Sequence, residues 1–150
     1  MTGVAGEAKE ADAAGRARSV TVDVAAFDEE SIIAARGAAR EMARELGFSV
    51  VDQVRIATAV SEIARNILMY ARTGTICIRE CRAGTRVGLE VVAEDRGPGI
   101  PDVERVLQGG HSTSGSFGQG IAGARALMHE FHLESRLGEG TRVVMRRWRE

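Results

Sequence analysis

Between Ser49 and Ala71 the chain reads "SVVDQVRIATAVSEIARNILMYA", and this stretch limits the possible folds more than any other. Ile56, Val60, Ile63 and Ile67 recur at three- and four-residue steps, which makes a spine along one side of a helix. A helix with such a stripe needs a second layer to bury it. Ser49 reads as its N-cap, and Asp52 three residues on resembles a capping box with Asp in place of Glu. On the same helix Glu62 and Asn66 stand one above the other, because residues four apart share a face. At 100° per residue, Asn66 lies about 60° from Ile63, at the edge of the spine. A Glu/Asn pair by itself reads as a solvated face, but a position flanking the core suits a pocket wall.

The layer that covers this helix comes from the flanking patterns. "ARSVTVDVAAF" alternates as a strand over 17–24. "DEESIIAARGAAREMARELGF" has helix spacing, with Asp28 as a candidate N-cap and Gly47 as the stop. "GTICIREC" and "RVGLEVVAED" pair as strands across "RAGT". A loop, "RGPGIPD", leads to a short helix, "DVERVLQ". The Ser/Gly-rich "GGHSTSGSFGQG" should be mobile. "IAGARALMHEF" has a helical pattern, and two strands follow around a tight turn at Gly138–Gly140. The order β-α-α-β-β-(short α)-loop-α-β-β predicts an α+β two-layer sandwich, with helices on one face of a mostly antiparallel mixed sheet. The 150 residues, 44% of them hydrophobic, fit one domain with one core over 16–150. Residues 1–15, small and acidic, read as a disordered tail without the basic start and apolar stretch of a secretory signal.

Charge and lysine usage exclude several functions. A net charge of −1 argues against a protein built to hold nucleic acid or an anionic membrane, and no apolar run is long enough to cross a bilayer. The terminal "RRWRE" reads as an arginine-decorated edge strand. Cys77 and Cys81 would sit about 13–14 Å apart on a strand, too far for a disulfide. Reduced thiols in a cytoplasmic protein follow. A zinc site from Cys77, Cys81, His129 and His132 is conceivable, although His-x2-His is tighter than the usual spacing. Lys9, in the tail, is the only lysine. Neither a Walker A motif nor a eukaryotic-type kinase strand can be built without one, so any phosphate chemistry uses another scaffold.

Four short motifs carry that chemistry. The Asn66 amide oxygen is a hard neutral ligand suited to Mg²⁺, and the Glu62 carboxylate beside it can orient or deprotonate a nucleophile. In "EDRGPGI", ionised Asp95 accepts only, so it can take the exocyclic amine of adenine. Gly97 and Gly99 let backbone approach a flat base. "GSFGQGIAG" contains a formal GxGxxG, but it lacks the preceding strand of a dinucleotide fold. Its glycines can still open a helix and aim backbone N–H groups at an anion. In "GEGTRV", Thr141 can add a hydroxyl at the end of a strand.

In this order, these four stretches resemble the GHKL ATPase superfamily over most of 17–148. The N box corresponds to Glu62 and Asn66, and the first glycine box to Asp95, Gly97 and Gly99. The lid and second glycine box correspond to 109–120, and the threonine motif to Gly138–Thr141. "VDQVRIATAVSEIARNI", "AEDRGPGIPD", "GHSTSG" and "LGEGT" look like the RsbT-like kinases. The resemblance implies a Bergerat-type ATP-binding fold, Mg²⁺ held by Asn66, and Glu62 as the base for a substrate hydroxyl. It puts Asp95, Gly97, Gly99, Ile100, Gly115, Gly118, Gly120 and Thr141 around ATP, with 109–117 folding over as a lid. It further implies phosphorylation of Ser or Thr on STAS-domain proteins of a bacterial stress complex, followed by activation of a PP2C-type phosphatase. Arg65 matches that group and either steadies phosphate charge or pairs with Glu62. Two rival functions are a nucleotide-gated binding module without phosphotransfer and an anti-sigma kinase that sequesters a sigma factor.

Overall fold

The computed structural model describes residues 18–25, 28–108 and 117–150. The expected tail, Gly115 and most of the expected lid lie outside them.

Valines at every second position make Ser19–Val24 a strand, β1, with Val20, Val22 and Val24 buried. Asp28 then starts helix α1 (Glu30–Glu45): its Oδ1 accepts the Glu30 amide at 3.1 Å, and its carbonyl accepts the Ser31 hydroxyl at 2.6 Å. The helix closes in a Schellman motif. Gly47 takes φ +86°, its amide meets the Arg44 carbonyl, and the Phe48 amide meets the Ala43 carbonyl. Helix α2 (Val50–Asn66) follows at once. The Ser49 hydroxyl caps it by accepting the Asp52 amide at 3.2 Å. The Asp52 carboxylate does not complete a box, because it turns toward Arg55 and Arg147.

The predicted spine forms. Ile56, Val60, Ile63 and Ile67 are 0–2% exposed, and full burial of each such side chain contributes about 1.5–3 kcal/mol. The helical pattern runs past Asn66, yet the structure changes there to a π turn at Ile67–Ala71, with the Arg72 amide reaching back to the Ile67 carbonyl at 2.7 Å. Arg72 itself sits at φ +74°.

Strands β2 (Gly74–Ala83) and β3 (Arg86–Asp95) form the predicted hairpin, with only Gly84 and Thr85 in the loop. A short helix α3 (Val103–Gln108) has its Arg105 amide held by Asp102 Oδ1 at 3.1 Å. Helix α4 spans Phe117–Leu127, so it begins earlier than the sequence pattern suggests and takes Gly118 and Gly120 into its first turn. It also ends before His129–Phe131, because Glu130–Arg136 is strand β4, paired with β5 (Gly140–Trp148).

The sheet order is β1-β2-β3-β5-β4. Every pairing among the described residues is antiparallel, so the sheet is not mixed. The two hairpins set β2 against β3 and β4 against β5, and the second hairpin joins the sheet through β5, which lies between β3 and β4. That insertion also corrects the expectation for the C-terminal arginines: β5 is an interior strand and its arginines are engaged within the chain. Arg147 reaches the Asp52 carboxylate at 3.0 Å and the Leu127 carbonyl at 2.9 Å, and Arg149 reaches the Leu46 carbonyl at 2.6 Å.

All the core lies between the helices and one sheet face, where Ile76, Ile78, Leu89, Val91, Ala93, Val143 and Met145 meet α1 and α2. The other face carries a charge ladder. Glu90 is 3% exposed there because Arg79 and Arg146 close over it. Arg146 also holds Glu130, whose second oxygen accepts the Trp148 indole N–H at 2.6 Å. Cys77 and Cys81 are free thiols. Among the described residues no three His, Cys, Asp or Glu side chains could share a metal, so the conceived zinc site is not formed. Burial first, then the Glu90 charge, push the Cys81 thiol pKa up. No helix among the described residues is long and apolar enough to cross a membrane.

Candidate functional site

Glu62 and Asn66 project from α2 near its C-terminal end, both partly buried, between the buried Ile63, Ala64 and Ile67. Glu62 Oε1 accepts from Arg65 Nη1 at 3.1 Å, one of the two roles the sequence leaves open for Arg65. The other carboxylate oxygen points at the first turn of α4: a Cβ added at Gly120 would lie 3.3 Å from Glu62 Oε2. The carboxylate therefore lies against the N-terminal turn of α4, where the helix dipole favours negative charge. Asn66 differs from an ordinary surface amide. Its Oδ1 is buried and has no hydrogen-bond partner among the described residues. A buried acceptor left bare costs about 1–3 kcal/mol, and a hard neutral oxygen of this kind fits Mg²⁺.

The π turn joins this pair to Asp95. Ile67 lies close against Gly74, whose missing Cβ would also meet Asp95 Cβ at 3.2 Å. Ala71, the last residue of the turn, sits directly under Gly97, where a Cβ would fall 2.6 Å from Ala71 Cβ. Gly99 (φ +80°) lies equally tightly on the Arg136 carbonyl, at 2.4 Å from a would-be Cβ. Both glycines are thus demanded by contacts within the chain, independently of any bound base.

Asp95 ends β3 on the helix side, its Oδ1 accepting the Gly97 amide at 2.9 Å. Partial burial raises its pKa above the ordinary 3.8, and hydrogen bonds from the Gly97 and Thr141 amides only partly offset that. Thr141 is its register partner on β5. The Ser135 hydroxyl knits this end together. It accepts the Ile100 amide at 2.7 Å and meets Thr141 Oγ1 at 2.8 Å. Ser135 went unnoticed in the sequence because its partners are 35 and 6 residues away and no motif contains it. Clefts of about 750 Å³, lined by Gly74, Thr75 and Arg96 among others, and about 270 Å³, lined by Ser135, Gly140 and Thr141 among others, flank Asp95. Neither reaches Glu62 or Asn66. The connection runs instead through the contacts of the π turn. Gly115 and the rest of 109–116, between α3 and α4, are outside the described residues.

An acid against a helix end, an orphaned amide oxygen one turn away, and a half-buried aspartate on the adjoining strand form a set suited to a nucleotide and a metal. Comparison with known proteins bears on the nucleotide part of that reading. Residues 25–147 match the histidine kinase-like ATPase domain family, and the chain belongs to that family. It is 50% identical over 120 residues to the serine/threonine-protein kinase RsbT of Bacillus subtilis (strain 168), across 80% of this chain and 90% of that one. An anti-sigma F factor of Thermoanaerobacter sp. (strain X514) is 30% identical over 120 residues, 76% of this chain and 82% of that protein. The crystal structure of RsbU and RsbW domains from Mycobacterium tuberculosis matches with a TM-score of 0.55 at 22% identity over 87% of this chain. This chain spans about a third of that larger one, 33%, and the likeness bears on the fold alone. Within its family the chain is an RsbT-like, ATP-binding protein serine/threonine kinase.

Proposed function

We propose that residues 16–150 form one kinase domain that transfers the γ-phosphoryl group of ATP to a serine or threonine of a STAS-domain protein, in a bacterial stress switch in the cytoplasm. The observation that carries the reading is the pairing of Glu62, set against the α4 end, with the orphaned Asn66 Oδ1 one turn on. Glu62 accepts the proton of the acceptor hydroxyl as its oxygen bonds to the γ-phosphorus and the bond to the β-phosphate oxygen breaks, releasing ADP. Arg65 fixes the direction of that carboxylate. The Gly118 and Gly120 amides at the start of α4 offset charge on the transferred group. Asp95 holds the adenine amine, with Gly97, Gly99, Ile100 and Thr141 shaping its seat. Asn66 would hold Mg²⁺, which supplies charge neutralisation on the phosphates. Residues 109–117, Gly115 among them, act as the lid that excludes water.

The kinship to RsbT supports the switching half of the proposal: released from its substrate, the chain engages and activates a PP2C-type phosphatase. Identity at the 30% level to an anti-sigma F factor favours one second reading, in which the chain also holds a sigma factor. Pull-down with sigma factors decides that point.

The test is phosphotransfer from labelled ATP to candidate STAS proteins by wild type and Glu62→Ala. Transfer by wild type, with loss of transfer but retained ATP binding in the variant, is expected. A Glu62→Ala protein working at the wild-type rate removes the assignment.

A further inference from the structure

We propose that the outer face of α2, from Val51 through Val54 and Thr58 to Glu62, is the surface on which the protein acceptor docks. The inference rests on the reading of Glu62 as the group that meets the acceptor hydroxyl. The core side of α2 is unambiguous, with Ile56, Val60 and Ile63 buried. At 100° per residue these lie about 100–160° from Glu62 around the helix axis, whereas Val51 lies about 20°, Thr58 about 40° and Val54 about 80° to its other side. All three share the row of Glu62 and turn away from the core. They are also open: Val51 is 58% exposed, Val54 is 45% exposed, and Thr58 is exposed. Valine and threonine are both poor helix formers, so helix propensity does not account for three β-branched residues in one solvent-facing row.

Reach decides what covers this row. At 1.5 Å per residue, Thr58, Val54 and Val51 stand about 6, 12 and 16.5 Å from Glu62 along the axis. A standard protein interface covers about 800 Å² of each partner, a patch roughly 16 Å in radius. A folded acceptor whose interface is centred on Glu62 therefore covers Thr58 and Val54 and meets Val51 at its rim. A second copy of this chain or a lipid surface has no such requirement. Arg55 and Arg65, about half exposed, border the row. The acceptor that fits presents an apolar contact to the two valines, carboxylates at its rim, and its Ser or Thr at the Glu62 end.

Val51→Asp combined with Val54→Asp tests this without disturbing the core, and an acid at Val51 favours the helix start. The probe is a STAS-domain protein of the source organism that the wild-type chain phosphorylates. Its KM should rise at least about tenfold, with kcat at saturation and ATP affinity unchanged. Ile33→Asp on α1, an equally exposed apolar position at 57%, should leave KM unchanged. Calorimetric titration of the acceptor into Glu62→Ala protein should lose affinity in parallel when the valines are changed. That arm reads docking without chemistry, so it separates failure of the surface from failure of the catalytic role. Unchanged acceptor KM and affinity overturn the proposal. So does a wild-type dimer that the valine changes dissolve in sedimentation, which would assign the row to a second copy.

Discussion

Gly120→Ala sets stability against activity, and the two effects have separate causes. Gly120 is inside α4, where replacing glycine by alanine gains about 0.5–1 kcal/mol of helix stability. In a chain of this size that raises Tm by about 1–4 °C. Among the described residues the new Cβ meets Glu62 Oε2 at 3.3 Å, so the carboxylate must retreat by a few tenths of an ångström. It moves together with the half-exposed Arg65 that holds its other oxygen at 3.1 Å, so the contact is relieved by a small joint shift. A full 1 Å misplacement of a reacting group costs on the order of 100-fold in rate, so a shift of this size should cost about 3–5-fold. Thermal melts, ATP calorimetry and single-turnover transfer at saturating ATP read the three quantities apart. The expected result is a higher Tm, unchanged ATP affinity and slower transfer. A more stable protein with an undiminished rate refutes the idea that Gly120 keeps room for the acid. Weakened ATP binding at full rate would assign the glycine to phosphate alone.

Two further outcomes follow from the carboxylates. Asp95→Asn exchanges a charged acceptor for a neutral one, a difference of about 1 kcal/mol, so ATP affinity should fall about fivefold in calorimetry. Because the Asp95 pKa is raised, wild-type affinity should begin to fall, as pH drops, at a higher pH than an ordinary aspartate near 3.8 would give, while the variant stays flat. Asp52→Ala leaves the Arg147 guanidinium, 11% exposed, without its carboxylate, at a cost of about 3 kcal/mol and, for this chain length, about 6–12 °C in Tm. Burial alone would raise the Asp52 pKa, but the hydrogen bond from Arg55 and the charge of Arg147 outweigh it and leave it lowered. The stabilisation is therefore complete above the ordinary value of 3.8 and lost as pH falls through the lowered one. Urea melts below pH 4 should show wild type converging on the variant.

What the sequence determined by itself was local. Caps at Asp28, Ser49 and Asp102, the Gly47 stop, the Ile56–Ile67 spine and the β2–β3 hairpin all depend on residues within a few positions of one another. Such interactions are written in consecutive letters. The motifs at Glu62, Asn66 and Asp95 were legible for a related reason, since each is a short chemical pattern on one element. Tertiary structure alone decided the rest. Nothing local places β5 inside the sheet, because that choice is made by pairing with β3, some fifty residues earlier in the chain. The Asp52 and Arg147 pair joins positions 95 residues apart. The sequence pattern passes through Asn66 as one helix, yet the chain breaks into a π turn there, and that turn packs Ala71 beneath Gly97. Helical periodicity barely registers one extra residue per turn, while close packing between layers does, so only the folded chain could show how the acid, the amide and the aspartate are joined.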